Sequence, residues 1–369
     1  MKQVSRISDF VFINPGFGDF ISIARQINSG SQITIVLEND LSREDVFYTT
    51  QFYPFSFFHL KKNGEKLKIW QQFVELAPHL ARSEKVFYAS YSQLDKWRSV
   101  VADYWYKNTY QKKSQIIAKS LRSIFSGLNN IASEGVYFQE YTFNISRFYI
   151  EMLKYFTKNG ASVFVNQRVD VKNGMVDFKD SGEKIQAKHI RDGENLLKTG
   201  YRVSIEIPGG FVMVVRHSYG NFRCLEKKGF LEIYPLSAAA ESCSEKKIKA
   251  VIAHYFNVHS EKMKMEKKQY LHFPEQLVFL LPPLLKKPLP CTFGGQSFDD
   301  MFELCREKFD LAKQCGINFP EFRVLFHRYG KGIDEMIEMA YEKRSRKKEP
   351  DPAWNTVEND FQKMHEWKI

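Results

Sequence analysis

Asn14, Gly16 and Asp19 stand at the spacing of a dinucleotide fingerprint, and Glu38 closes the apolar run that follows. All four lie in FVFINPGFGDFISIARQINSGSQITIVLEND, Phe10 to Asp40, which reads as a strand, a turn, a helix and a second strand ending in an acid. A unit of this kind grips FAD or NAD through three glycines. The first permits the tight turn, the second admits the pyrophosphate to the backbone, and the third lets helix and strand pack closely. Only Gly16 keeps its place here; in the neighbouring register Gly16 and Gly18 fill two positions and Ile21 the third. Asn14 can adopt positive φ at modest cost, so the turn can persist. Asp19 suits a helix start, where its carboxylate caps unpaired N–H groups. Those are the groups a pyrophosphate would use, and a fixed negative charge among them repels it. Glu38 keeps the position from which an acid bonds ribose hydroxyls.

Other chemistry is sparse. The chain has no G-x-S-x-G, phosphate-binding P-loop, H-E-x-x-H or calcium loop. GKGID at Gly330 to Asp334 has no strand before it and reads as a helix break. Arg216 and His217 end a strand-like run; they could meet an anion, though a surface strand end is the favoured reading. Tyr137, Phe138 and Tyr141 read as core aromatics. Five cysteines are scattered without a C-x-x-C pair, which suggests reduced thiols. Cys305 and Cys315 lack a matching Cys/His pair, so no metal site is expected.

The elements that must position these residues can be read from periodicity. Strand-like alternation marks residues 32–38, 161–171, 174–180, 210–217 and 229–236. Helical spacing marks 21–27, 66–81, 114–125 and 146–160, the last stopped by Gly160. From Ser297 onward the pattern is helical alone, and the proline-rich LPPLLKKPLPCTFGG, Leu281 to Gly295, looks like the boundary. Two parts are therefore expected, a mixed α/β body over 1–290 and a helical domain over 291–369.

A chain of 369 residues can bury a sizeable core, and 43% of its residues are apolar. No apolar run spans a bilayer and no signal peptide is evident, so a cytoplasmic protein is expected. The net charge of +11 favours anionic partners, and peripheral attachment to an anionic membrane surface is one expectation. Much of the excess sits in KRSRKK (Lys343 to Lys348) and EKMKMEKK (Glu261 to Lys268), read first as solvated helix ends. No nucleic-acid motif accompanies the charge, so no nucleic-acid partner is expected.

Several stretches, in order, resemble FAD-dependent glycerol-3-phosphate dehydrogenase of the D-amino-acid-oxidase-like flavoproteins. WQQFVELAPHLARS (Trp70 to Ser83) resembles the family helix ending in APHL. GVYFQEYTFNISRFYIEMLKYFTKNGASVFVNQRV (Gly135 to Val169) resembles its strand, helix and next strand. PLPCTFGGQSFDDMF, LFHRYGKGIDEMIEMA and VENDFQKMHEW resemble its linker and C-terminal helices. The likeness implies a Rossmann-like FAD-binding domain interleaved with an antiparallel-sheet substrate domain, followed by a small helical domain. It also implies FAD as cofactor and oxidation of glycerol 3-phosphate to dihydroxyacetone phosphate.

The likeness extends to individual site positions. In the family loop along the flavin, Thr49, Thr50 and Leu60 keep the register, and His59 takes a tyrosine position as a weak catalytic candidate. Lys227 and Lys228 stand beside Gly229, which replaces the family's phosphate-reading arginine. A lysine supplies a point charge there but not a two-pronged guanidinium. RDGENLLKTG replaces the family's NATG turn, and two further flavin loops have no counterpart. Packing helices remain legible while cofactor elements are altered. The expectation is a degenerate, shortened copy: a dehydrogenase-like oxidoreductase with decayed flavin and substrate motifs, or a non-catalytic interaction or regulatory protein with a protein partner.

Overall fold

The computed structural model describes residues 6–38, 47–49, parts of 69–104, 115–117, 135–193 apart from 166, 197–205, 212–227, 230–258 apart from 257, 263–285 apart from 272 and 275, 289, 312–313 and 333–347. These residues form two sheets with helices packed on them.

The first sheet grows from the βαβ unit. β1 (Arg6–Ile13) runs through α1 (Asp19–Asn28) into β2 (Ile33–Leu37), and β1 and β2 pair in parallel. β2 is ITIVL, buried at every position, as a strand covered on both faces must be. α1 turns Phe20, Ile23 and Ala24 inward at helical spacing and leaves Arg25 and Asn28 in water. β7 (Ser162–Val165) adds in parallel beyond β2, and β10 (Lys184–Asp192) adds in parallel on the other side of β1. β9 (Met175–Phe178) and β8 (Val169–Lys172) extend that side antiparallel, giving the order β7-β2-β1-β10-β9-β8. The chain order reverses between β1 and β10, so the ends of these strands form the switch point where doubly wound sheets take ligands.

The second sheet has nine strands. Its path is β15 (Met265–Leu271), β11 (Leu197–Ser204), β14 (Phe230–Pro235), β13 (Gly220–Lys227), β12 (Val212–His217), β4 (Ala81–Ala89), β6 (Gly135–Asn144) and β3 (Phe47–Thr49). β5 (Gln115–Ile117) pairs with β6 off this path. Every pairing is antiparallel except β12 with β4. The expected fold class, a Rossmann-like domain with an antiparallel-sheet domain, is the one observed.

α2 (Ile145–Lys158) links the sheets, leaving β6 and entering β7. Asn144 caps it by accepting a hydrogen bond from the Arg147 amide at 3.0 Å, and Gly160, at φ 99°, ends it where its sequence predicts. Phe17, Phe20, Phe148, Tyr149 and Phe273 meet around this helix in edge and stacked contacts, joined by Trp70 and Phe73. Each such buried ring contributes roughly 1.5–3 kcal/mol. On the far side of the second sheet, α3 (Ala238–Glu241) and α4 (Glu245–Tyr255) cover β11 to β14 with Ile248, Val251, Ile252 and Tyr255. α5 (Gln276–Leu280) and α6 (Ile333–Lys347) follow.

Three local expectations are corrected. Residues 115–117, read as part of a helix, form β5, because Gln115 to Ile117 pair with β6. Met265 to Lys268, read as a solvated helix end, belong to β15, which the pairing with β11 holds extended. The single run at 161–171 splits into β7 and β8, which occupy opposite edges of one sheet.

Candidate functional site

The turn between β1 and α1 is held from three sides. Asn14 takes φ 46°, so the left-handed turn survives without glycine. Two hydrogen bonds to Glu38, across the β1–β2 register, hold its side chain there. Its Nδ2 donates to Glu38 Oε2 at 2.8 Å, and its Oδ1 accepts from the Glu38 amide at 2.9 Å. From α2, the Tyr149 hydroxyl donates to the Pro15 carbonyl at 2.6 Å. From β10, the Gly193 amide donates to the Ile13 carbonyl at 2.7 Å. A Cβ at Gly193 would fall 2.5 Å from the Asn14 carbonyl oxygen, so only glycine lets the two strand ends close on each other.

The anion seat at the start of α1 is occupied by the protein itself. The Gly16 amide donates to Asp19 Oδ2 at 2.9 Å inside the fold. Asp19 Oδ1 lies 2.8 Å from Arg191 Nε, which reaches across from the end of β10. Asp19 is buried and Arg191 mostly exposed, so one carboxylate satisfies an amide and a guanidinium at the switch point. Gly18, the residue before the helix, makes no side-chain cap and is exposed. Glu38 is turned toward its own neighbours, with Oε2 on Asn14 and Oε1 accepting from the Val169 amide at 3.2 Å.

The FAD expected here would need the amides at the start of α1 for its pyrophosphate and Glu38 for its ribose. Glu38 has acceptor capacity to spare. Asp19 does not fit, because its charge stands among the donors a diphosphate requires. The residues present therefore do not suit a dinucleotide in this conformation.

The other expected site positions scatter. Asn14, Gly16 and Glu38 converge, and Gly18 lies beside them. Thr49 sits on β3 opposite Thr142, and Lys227 ends β13 opposite Phe230. Thr50, His59 and Lys228 lie outside the described residues, as do Cys305 and Cys315. Arg216 and His217 end β12 as expected of a surface strand end. Arg216 lies 3.6 Å from Asp95, its carbonyl accepts from the Tyr255 hydroxyl, and His217 Nδ1 accepts from the Tyr219 amide at 3.3 Å. Burial holds the His217 and His254 imidazoles below their ordinary range, His217 also through its neighbour His254. No group of three or more His, Cys, Asp or Glu side chains able to hold a metal is present among the described residues. No helix among the described residues is long and apolar enough to cross a membrane.

Sequence reasoning missed a second polar cluster. Arg147, Glu151 and Lys154 share one face of α2 and are all buried. Arg147 Nη2 forms an ion pair with Glu151 Oε1 at 2.6 Å. Burial, helped by the Arg147 charge and opposed by Glu151, brings the Lys154 ammonium down to about 7. The spacing 147, 151, 154 was visible as one helix face. That this face would be buried was not, because charged faces usually point to water.

No family model matches this chain, and no curated protein matches it. Among solved structures it is similar to a glycerol-3-phosphate dehydrogenase from Bacillus halodurans complexed with FAD. The TM-score is 0.51 at 15% identity, covering 97% of this chain and 83% of that one. It is more remotely similar to an L-proline dehydrogenase from P. horikoshii, with a TM-score of 0.44, 10% identity and coverage of 73% and 83%. A glycine oxidase from Bacillus cereus gives 0.42, 12%, 71% and 83%. The chain thus shares its fold with the glycerol-3-phosphate dehydrogenase from Bacillus halodurans.

Proposed function

We propose that this chain is a glycerol-3-phosphate-dehydrogenase-like scaffold whose coenzyme seat is filled by its own carboxylate, and that it serves as a non-catalytic binding or regulatory protein. One observation carries the reading: the Gly16 amide is bound by Asp19, and Arg191 holds the same carboxylate in place. A diphosphate would have to displace a buried, doubly partnered anion and then sit beside it. The cost of leaving such a charge unpaired is several kcal/mol. The corresponding partner is a protein, and a full-length catalytic relative is the first to test by pull-down from the native cell.

A second reading is favoured by the coverage of 97% of this chain by a dehydrogenase structure complexed with FAD. On that reading the Gly16 amide and Glu38 would hold FAD in a conformation with Asp19 out of the seat, and FAD would supply the hydride acceptor for glycerol 3-phosphate oxidation.

An absorption spectrum of the purified protein, with and without added FAD, separates the two. The first reading expects colourless protein that retains no flavin after dialysis. It also expects Asp19→Gly, which restores the third fingerprint glycine, to bind ADP or FAD at least about tenfold more tightly, measured by calorimetry. Stoichiometric flavin in the wild type, bleached by glycerol 3-phosphate, would reject it.

A further inference from the structure

The buried residues of α2 divide between two faces. Phe148, Tyr149, Met152, Leu153 and Phe156 pack into the aromatic core. At about 100° per residue, Arg147, Glu151 and Lys154 fall within an arc of about 60° on the other side. Glu151 is taken by Arg147, with Oε1 and Nη2 2.6 Å apart. Lys154 is 2% exposed, yet among the described residues its ammonium has neither an ion pair nor a hydrogen bond. Of the described charged groups, Arg147 and Glu151 act on it, while α1 and β7, which pack against α2, bring none. Lysine at this depth ordinarily carries a paired charge, so this ammonium lacks the counter-ion that its burial calls for.

We propose that Lys154 anchors a binding site for a small carboxylate anion on the charged face of α2. The Arg147–Glu151 pair is neutral as a unit, so the lysine calls for one negative charge and no more. A carboxylate carries one charge, and its two oxygens accept from the three N–H donors of the ammonium. A phosphate dianion would bring a second negative charge beside Glu151, and chloride offers no paired oxygens. With Lys154 buried this deeply only a compact ion reaches it, which excludes a carboxylate carried by another chain. Binding and protonation are linked. Burial, then Arg147, makes the free folded chain give up this proton near 7, and an anion beside the amine holds it in place. The site lies apart from the turn before α1, and the inference is independent of whether flavin binds.

Urea unfolding of the full chain in sodium acetate and in sodium chloride, at matched ionic strength, tests it. A ligand of the folded state raises stability with its concentration, which yields an apparent affinity. At pH 7 acetate should bind at least about tenfold more tightly than chloride. Its affinity should fall at least about tenfold by pH 9, where the free folded chain no longer holds the proton. Lys154→Met should lose the acetate-specific gain. Lys154→Arg, which keeps its charge at both pH values, should retain that gain with no fall at pH 9. Three outcomes overturn the proposal: acetate and chloride acting alike on the wild type, Lys154→Met responding to acetate as the wild type does, or a wild-type affinity unchanged between pH 7 and pH 9. If Lys154→Met does not fold, Lys154→Arg decides, and either loss of acetate binding or the wild-type fall at pH 9 overturns the proposal.

Discussion

Charge is buried in different ways at the start of α1 and on α2. At the start of α1, Asp19 is matched by an amide on one oxygen and a guanidinium on the other. On α2, Arg147, Glu151 and Lys154 place two cations and one carboxylate on a buried face. The first site is locally balanced, one carboxylate against one amide and one guanidinium. The second carries a lysine whose charge is disfavoured chiefly by burial and then by Arg147, so its ammonium gives up its proton near neutrality. The contrast separates a carboxylate that replaces a ligand's charge from a cluster whose charge state depends on pH.

The largest effect expected from breaking this contrast is at Glu151. Glu151→Gln removes the carboxylate 2.6 Å from Arg147 and should cost about 3–5 kcal/mol in urea unfolding, the usual loss when one partner of a buried pair is deleted. A loss within experimental error would show that other groups neutralise this face.

Lys154 should write its titration into the stability curve. The unfolded chain keeps that proton up to the ordinary value of 10.5, whereas the folded chain releases it near 7. Between those values the unfolded state binds more protons, so stability rises with pH by up to about 1.4 kcal/mol per unit. Cys224, pushed up to about 12 by burial, opposes this trend above its ordinary 9, so the clean window is pH 7 to 9. Lys154→Met should flatten the rise and stabilise the protein most at the acid end of that window. Denaturant unfolding at several pH values measures both effects.

The smallest effect sharpens the other side of the comparison. Asn14→Gly relieves a left-handed residue but removes its two bonds with Glu38, and these oppose each other. Stability should change by less than about 1 kcal/mol. A larger loss would show that the Asn14–Glu38 pair, rather than turn geometry, holds β1 to β2.

The βαβ unit was legible because its signals are local. ITIVL reads as a covered strand and ISIARQI as one apolar helix face, and Asp19 at a helix start reads as a capping acid. Gly160 likewise announces the end of α2. The partners of these residues were not legible. Glu38 meets Asn14 across the β1–β2 register, and Arg191 and Gly193 arrive at the turn from far along the chain. Residues 115–117 show the converse, since their helical spacing lost to pairing with β6.

By itself, the sequence determined the alternation of α/β elements, the altered glycine fingerprint and the excess of positive charge, because each depends on residues close together or on counting. Tertiary structure alone decided that Asp19 sits in an anion's place and that three charges on α2 are buried. The physical reason is common to both. Solvation and ion pairing depend on what lies opposite a side chain in space, and that neighbour comes from another strand or helix rather than from the adjoining residues.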